Sequence, residues 1–427
     1  MGNLKKRCFP QIDEIFYFNT LDNGLKVFLI PKKGYQENLA MMTVKYGAVD
    51  TEFTLNSDDK KVYPAGLAHF LEHQFFERED KEDLSKQLAR LNADSNAFTT
   101  HQETSYYFSA SGQFSQSLNI LQKAFKSTHL TELSIKKEKG IIKQEIDMYQ
   151  DDPDYKLFLG VLGNLYPDTP LAQDIAGDRD SLAEICKEDL EDNFTYFYHP
   201  SNRSLLVIGD FDVKQVYKDI VATERQFPIE RSARIERSEL SLNPIQEKGS
   251  LQMEVALPKL ALGFRLRGLS SQSLLKEKLV IRLLFQLLFG WTSSNFQTWY
   301  EEGRVDDSFD IDIEVSTYCQ FVIISMDTKE PIAMASKIKH SLKHFTKSQD
   351  FTKERFELLK KELFGEFLKS LDSLDSLAVE FMNHLNGKET YFHYPDILSD
   401  LSFESVIEMG HYFNRSSDIS EFTIFPK

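Results

Sequence analysis

One succession of elements occurs twice along this chain. In the first half, strand-like runs at 25–30 and 40–46 lead to an apolar helix over 64–78. A strand at 96–109, helices over 115–127 and 131–150, and a strand at 204–208 follow. In the second half, a strand at 260–266 leads to a very apolar helix over 274–290. Strands at 309–315 and 321–326, helices over 332–346 and 353–374, and a strand at 422–425 complete it. A repeat of about 200 residues, in pattern rather than identity, restricts the fold to few solutions. The simplest is an α+β protein of two similar domains, each a mostly antiparallel sheet packed with helices and related by internal duplication.

Residues 231–250 are rich in charge and poor in apolar periodicity, which predicts a linker between domains spanning 1–230 and 251–427. The 427 residues carry 66 acidic and 50 basic side chains, a formal charge of -16. That excludes an ordinary nucleic-acid binder, which needs a basic face for phosphates. The three cysteines, Cys8, Cys186 and Cys319, are odd in number and far apart, so neither a disulfide framework nor a cysteine zinc knuckle is expected. With no apolar run of about 18 residues, no membrane span is expected. A cytoplasmic location is the reading.

The chemistry concentrates in His69-Phe70-Leu71-Glu72-His73. Histidines four apart stack on one helix face and can chelate a single zinc ion. Glu72 lies within about 100° of arc of both, close enough to serve a metal-bound water without binding the metal. Two surface histidines beside a surface glutamate would be the plain alternative. Leu67, Phe70, Leu71, Phe75 and Phe76 bury this helix, however, so its polar triplet faces something specific. His340 and His344 share the spacing, but Met334, Ile338, Leu342 and Phe345 lie on their helix's opposite face and no Glu stands between them. That pair reads as a solvated face. A catalytic zinc needs one more protein ligand and an open position. The helix at 131–150, with Thr131 as its N-cap, offers Glu138 and Glu145, seven apart on one face. From the residues alone, the two are not separable.

Ala65-Gly66-Leu67-Ala68-His69-Phe70-Leu71-Glu72-His73 resembles the active-site helix of the pitrilysin, insulin-degrading enzyme and mitochondrial processing peptidase family. Ser95-Asn96-Ala97-Phe98-Thr99-Thr100 and Thr104-Ser105-Tyr106-Tyr107-Phe108 resemble its substrate strand. Glu138-Lys139-Gly140-Ile141-Ile142-Lys143-Gln144-Glu145-Ile146 is similar to the segment bearing its distal ligand. Asp152-Pro153, Tyr166-Pro167, Pro170-Leu171, Gly177, Tyr198-His199-Pro200-Ser201-Asn202 and Gly209-Asp210 match further markers. The resemblance covers nearly the whole chain and is strongest over 60–210. It implies His69, His73 and Glu145 as ligands of one zinc per chain, Glu72 as general base and Glu138 in a supporting catalytic position. It also implies Asn96, Ala97 and Phe98 on a strand that pairs with substrate backbone.

Active members of that family carry an Arg and, seven residues on, a Tyr in the second domain, which hold substrate. Here Tyr300 stands at the Arg position and Asp306 near the Tyr position, with Arg304 as a partial substitute. The resemblance to half-size bacterial zinc-bearing subunits accounts for the departure: a homologous partner supplies the pair, or else the chain forms a homodimer. The expected function is a zinc endopeptidase for short or unfolded peptides. The rival is a non-catalytic or weakly active peptide-binding subunit of a processing complex.

Overall fold

The computed structural model describes residues 4–57, 59–76, 83–128, 130–226, 234–269, 273–385 and 389–427. The chain forms two compact units. One comprises residues 1–147, 173–238 and 372–383; the other comprises 148–172, 239–371 and 384–427. The division differs from the contiguous domains expected: each unit takes in a short segment from the other half of the sequence.

The first unit holds strands β1 (Lys5–Phe9), β2 (Glu14–Thr20), β3 (Lys26–Pro31), β4 (Asn38–Val44), β5 (Glu52–Leu55), β6 (Asp59–Val62), β7 (Ala93–Thr99), β8 (Thr104–Ala110), β9 (Arg203–Gly209) and β10 (Ile235–Arg237). Seven of them form one sheet in the order β1-β2-β3-β9-β4-β8-β7, antiparallel except for β3 with β9. A small sheet, β10-β5-β6, accompanies it. β4 is buried from Leu39 to Val44, and all seven residues of β9 are buried, the pattern of strands covered on both faces. The helix Leu67–Phe76 packs against β7 and β8, while the helix Leu374–Asn383, from far along the chain, packs on β4 and β9. Phe381 of that helix meets Phe16 and Phe28 with ring centroids 5.4 and 5.7 Å away.

The second unit holds β11 (Lys248–Met253), β12 (Lys259–Arg265), β13 (Asp310–Val315), β14 (Gln320–Asp327) and β15 (Asp418–Pro426), in the order β11-β15-β12-β14-β13. Only β11 and β15 run parallel. This order and sense repeat β3-β9-β4-β8-β7, so the duplication expected from the sequence pattern is present strand for strand. The helix Pro153–Leu165 packs on β12 and β15. Phe422 of β15 fills the space over Gly160, and Val161 and Leu165 lie over Gly263 of β12. Arg265 is fully buried and pairs with Asp418 at 2.7 Å; it also donates to the carbonyls of Leu165 (2.7 Å) and Asn243 (2.9 Å).

Local differences have physical causes. The run at 96–109 is a hairpin, β7 and β8, closed where the Thr100 N–H donates to the Glu103 carbonyl at 2.8 Å. Its turn, Thr100-His101-Gln102-Glu103, contains neither Gly nor Pro, so nothing in composition marked it. The expected linker is partly strand: β10 pairs with β5, and β11 pairs with β15. Residues 231–233 lie outside the described residues. The helix expected over 353–374 ends at Ser370, and a new one begins at Leu374. The helix expected from Pro64 begins at Leu67; residues 77–78 of that expectation lie outside the described residues. Among the described residues no helix is long and apolar enough to cross a membrane.

Candidate active site

The helix Leu67–Phe76 starts at a backbone crossing. Gly66 has φ +88°, and a Cβ there would stand 2.3 Å from the Ala176 carbonyl oxygen; Gly177 has φ +75° and faces the Ala65 carbonyl in the same way. Only glycine fits such an approach at that φ. The reciprocal contact fixes where the helix begins. Leu67, Phe70, Leu71 and Phe75 then bury one face, and His69, Glu72 and His73 share another.

The helix Glu132–Gln150 supplies the facing wall. Thr131 caps it: its hydroxyl accepts from Ser134 N–H at 3.0 Å, as the residue pattern predicts. Ser134 in turn donates its hydroxyl to Gln74 Oε1 at 3.1 Å, tying the two helices together. One turn on, Glu138 Oε1 lies 2.7 Å from His73 Nδ1. Two turns further, Glu145 reaches both imidazoles, 3.7 Å from His69 Nε2 and 3.4 Å from His73 Nε2.

These are separations that one ion would impose. Donors about 2.0–2.2 Å from a tetrahedral zinc stand about 3.4 Å from each other. The ligand atoms of His69, His73 and Glu145 lie within 4.8 Å of one another, and among the described residues no other group of three such side chains does. His340 and His344 have ring centroids 4.6 Å apart, against 4.5 Å for His69 and His73, yet no third donor joins them among the described residues. Two imidazoles and a carboxylate are a zinc donor set, so the residues present fit the ion.

The electrostatics agree with a site that holds charge. Burial, aided by the neighbouring His73 and opposed by Glu145, lowers the His69 pKa to about 4. Burial also opposes charge on His73, but the hydrogen bonds and charges of Glu138 and Glu145 outweigh it and raise its pKa to about 9. The Glu145 carboxyl is held below its ordinary value, chiefly by its hydrogen bond to His73. Burial lifts Glu72 above its ordinary value, with the Thr99 hydrogen bond pulling the other way. Glu72 ligates nothing in this set, and its carboxylate accepts a hydrogen bond from Thr99 Oγ1.

Asn96, Ala97 and Phe98 lie on β7, the edge strand of the seven-stranded sheet. The Ala97 N–H donates to the Asn96 side-chain oxygen at 2.8 Å. Arg304 belongs to the other unit, where Glu302 and Glu330 both pair with it. Asp306 accepts from the Ser308 N–H (2.9 Å) and hydroxyl (2.6 Å), and Tyr300 stacks on Phe296 with half its surface exposed. The sequence reading missed Thr99 and the Gln74–Ser134 tie as parts of the site. Periodicity makes no distinction between a polar side chain that meets water and one that meets a second helix.

Comparison with known proteins follows the same lines. Residues 57–179 match the insulinase (peptidase family M16) domain, and residues 184–363 match the peptidase M16 inactive domain. An uncharacterized zinc protease of Bacillus subtilis, YmfH, is 33% identical over 93% of this chain and 94% of its own length. The rat mitochondrial-processing peptidase subunit beta is 28% identical over 42% of the chain and 35% of its own. The crystal structure of an M16-like peptidase from Alicyclobacillus acidocaldarius superposes with a TM-score of 0.90 at 28% identity, covering 100% of this chain and 99% of that one.

Proposed function

Because this chain belongs to the insulinase, or M16, peptidase family, we propose that it is a zinc-dependent endopeptidase for short or unfolded peptides. The observation that carries the reading is the convergence of His69, His73 and Glu145 with a non-ligating Glu72 beside them. His69, His73 and Glu145 hold one zinc per chain. Zinc, when bound, supplies the polarisation of the scissile carbonyl and the acidification of water that amide hydrolysis needs near neutral pH. Glu72 accepts the proton of the attacking water and delivers it to the leaving amine. Its apolar surroundings keep the carboxyl weakly acidic, which suits both halves of that transfer. Glu138 fixes the His73 ring and its tautomer, so that Nε2 faces Glu145. Asn96, Ala97 and Phe98 present the edge of β7 to an extended peptide, which reads backbone more than side chains.

Neither Tyr300 nor Asp306 is an Arg/Tyr pair, and Arg304 is engaged by two carboxylates. These features favour a homologous partner subunit that supplies the missing pair, and they also favour the rival reading, a weakly active peptide-binding subunit. The cytoplasm suits three free cysteines, of which Cys8 and Cys186 are exposed. Zinc content and turnover of unfolded peptides, measured on the chain alone and with candidate homologues, separate these readings. Glu72→Gln retains zinc and loses turnover; a fully active Gln variant would overturn the assignment.

A further inference from the structure

We propose that Thr99 is the positioning residue of the general base, joining Glu72 to the strand that receives the peptide; this rests on the endopeptidase reading. Thr99 Oγ1 donates to Glu72 Oε2 at 2.5 Å. Among the described residues it is the only hydrogen bond of that carboxylate, so without it a largely buried base has no fixed orientation.

Thr99 is well placed to impose one. It is the last residue of β7, directly after Asn96, Ala97 and Phe98. It stands opposite Thr104 across the hairpin, with the two hydroxyl oxygens 3.4 Å apart. Thr104 is fully buried and donates its proton to the Tyr46 carbonyl at 2.9 Å. Each hydroxyl therefore spends its proton outward, Thr104 on Tyr46 and Thr99 on Glu72. The β-branch of Thr99 adds rotamer stiffness. A peptide added to the edge of β7 thus settles against the same short strand that aims the base. The base and the docked backbone share one rigid reference, which is what a precise attack geometry requires.

Thr99→Val removes the donor at nearly constant shape, and Thr99→Ser restores it. On the zinc-loaded full chain, with the partner subunit if turnover needs one, Thr99→Val is expected to lower kcat about 10- to 100-fold with KM within about twofold of the wild type. Thr99→Ser recovers most of the loss. Zinc content and melting temperature stay near the wild-type values. An unchanged kcat for Thr99→Val, or a loss that Ser does not rescue, overturns the proposal. The crystal structures of the wild type and Thr99→Val supply a readout independent of turnover: the Glu72 carboxylate is expected to turn away from its wild-type orientation. If the wild type shows no turnover in any pairing, the endopeptidase reading fails, and the structures alone decide whether Thr99 orients Glu72. A Glu72 carboxylate that keeps its place in Thr99→Val overturns that too.

Discussion

Glu138 Oε1 lies 2.7 Å from His73 Nδ1, and the Glu138 side chain is almost wholly buried. A carboxylate sunk that deeply costs free energy unless its charge serves something. Here it holds one imidazole in the ring orientation and tautomer that turns Nε2 toward Glu145. Glu138→Gln keeps the shape and weakens that hold. Zinc affinity, measured by competition with a chelator, is expected to fall about 10- to 100-fold, while the fold persists. Unchanged affinity would remove Glu138 from the site.

Gly66 and Gly177 make a second prediction. Gly66→Ala places a Cβ 2.3 Å from the Ala176 carbonyl oxygen at a φ of +88°. Local rearrangement must follow, at about 1–3 kcal/mol, and it falls at the start of the helix bearing His69. Denaturant unfolding and zinc content are both expected to drop in this variant. A change such as Gly112→Ala, where a Cβ meets nothing within 4 Å, leaves zinc content unchanged.

His340 and His344 bear on what the H-x-x-x-H spacing is worth by itself. Their ring separation nearly equals that of His69 and His73. Alanine at both positions is expected to leave zinc stoichiometry at one per chain, by metal analysis, whereas alanine at His69 or His73 abolishes it. Spacing places two rings together; the third ligand makes them a site.

Arg265 and Asp418 make a pH-dependent contribution to stability in the second unit. Burial works against the Asp418 charge, but Arg265 and Arg267 outweigh it and hold its pKa below the ordinary 3.8. A depressed carboxyl contributes stability that is fully present above its unfolded value and lost as pH falls through the folded one. Asp418→Asn leaves the fully buried Arg265 without its counter-charge and is expected to cost about 2–4 kcal/mol near neutrality. The gap from the wild type should narrow below pH 3.8, as chemical denaturation across pH would record.

Much of the site was legible because its signals are local. His69, Glu72 and His73 sit within five residues, and their apolar neighbours show the helix to be buried. Glu145 was harder, since Glu138 sits on the same helix face and only the family resemblance chose between them. In space they divide the work: Glu138 meets Nδ1 of one ring, and Glu145 meets Nε2 of both. The β7–β8 hairpin was hidden because Thr, Tyr and Phe run through it without a turn-forming residue at 100–103. Thr99 was hidden for another reason: its partner lies 27 residues away, and no periodicity reports a hydroxyl reaching a carboxylate across that distance. The helices Pro153–Leu165 and Leu374–Asn383 were not assigned from the sequence at all. Which sheet each one covers is a matter of chain path, and amphipathicity does not encode it.

That path is the last point. The chain passes from one unit to the other five times, and each unit's sheet is covered by a helix drawn from the opposite half of the sequence. Phe381 closes over Phe16 and Phe28 although more than 350 residues separate it from them. A gene fragment ending near residue 230 would therefore encode His69, His73 and Glu145 and still leave β4 and β9 without the helix Leu374–Asn383 that packs on them. Removing the Phe381 ring alone forfeits about 3–5 kcal/mol of packing, and the fragment loses the entire helix. The halves repeat one pattern, yet no single cut in the sequence parts one unit from the other.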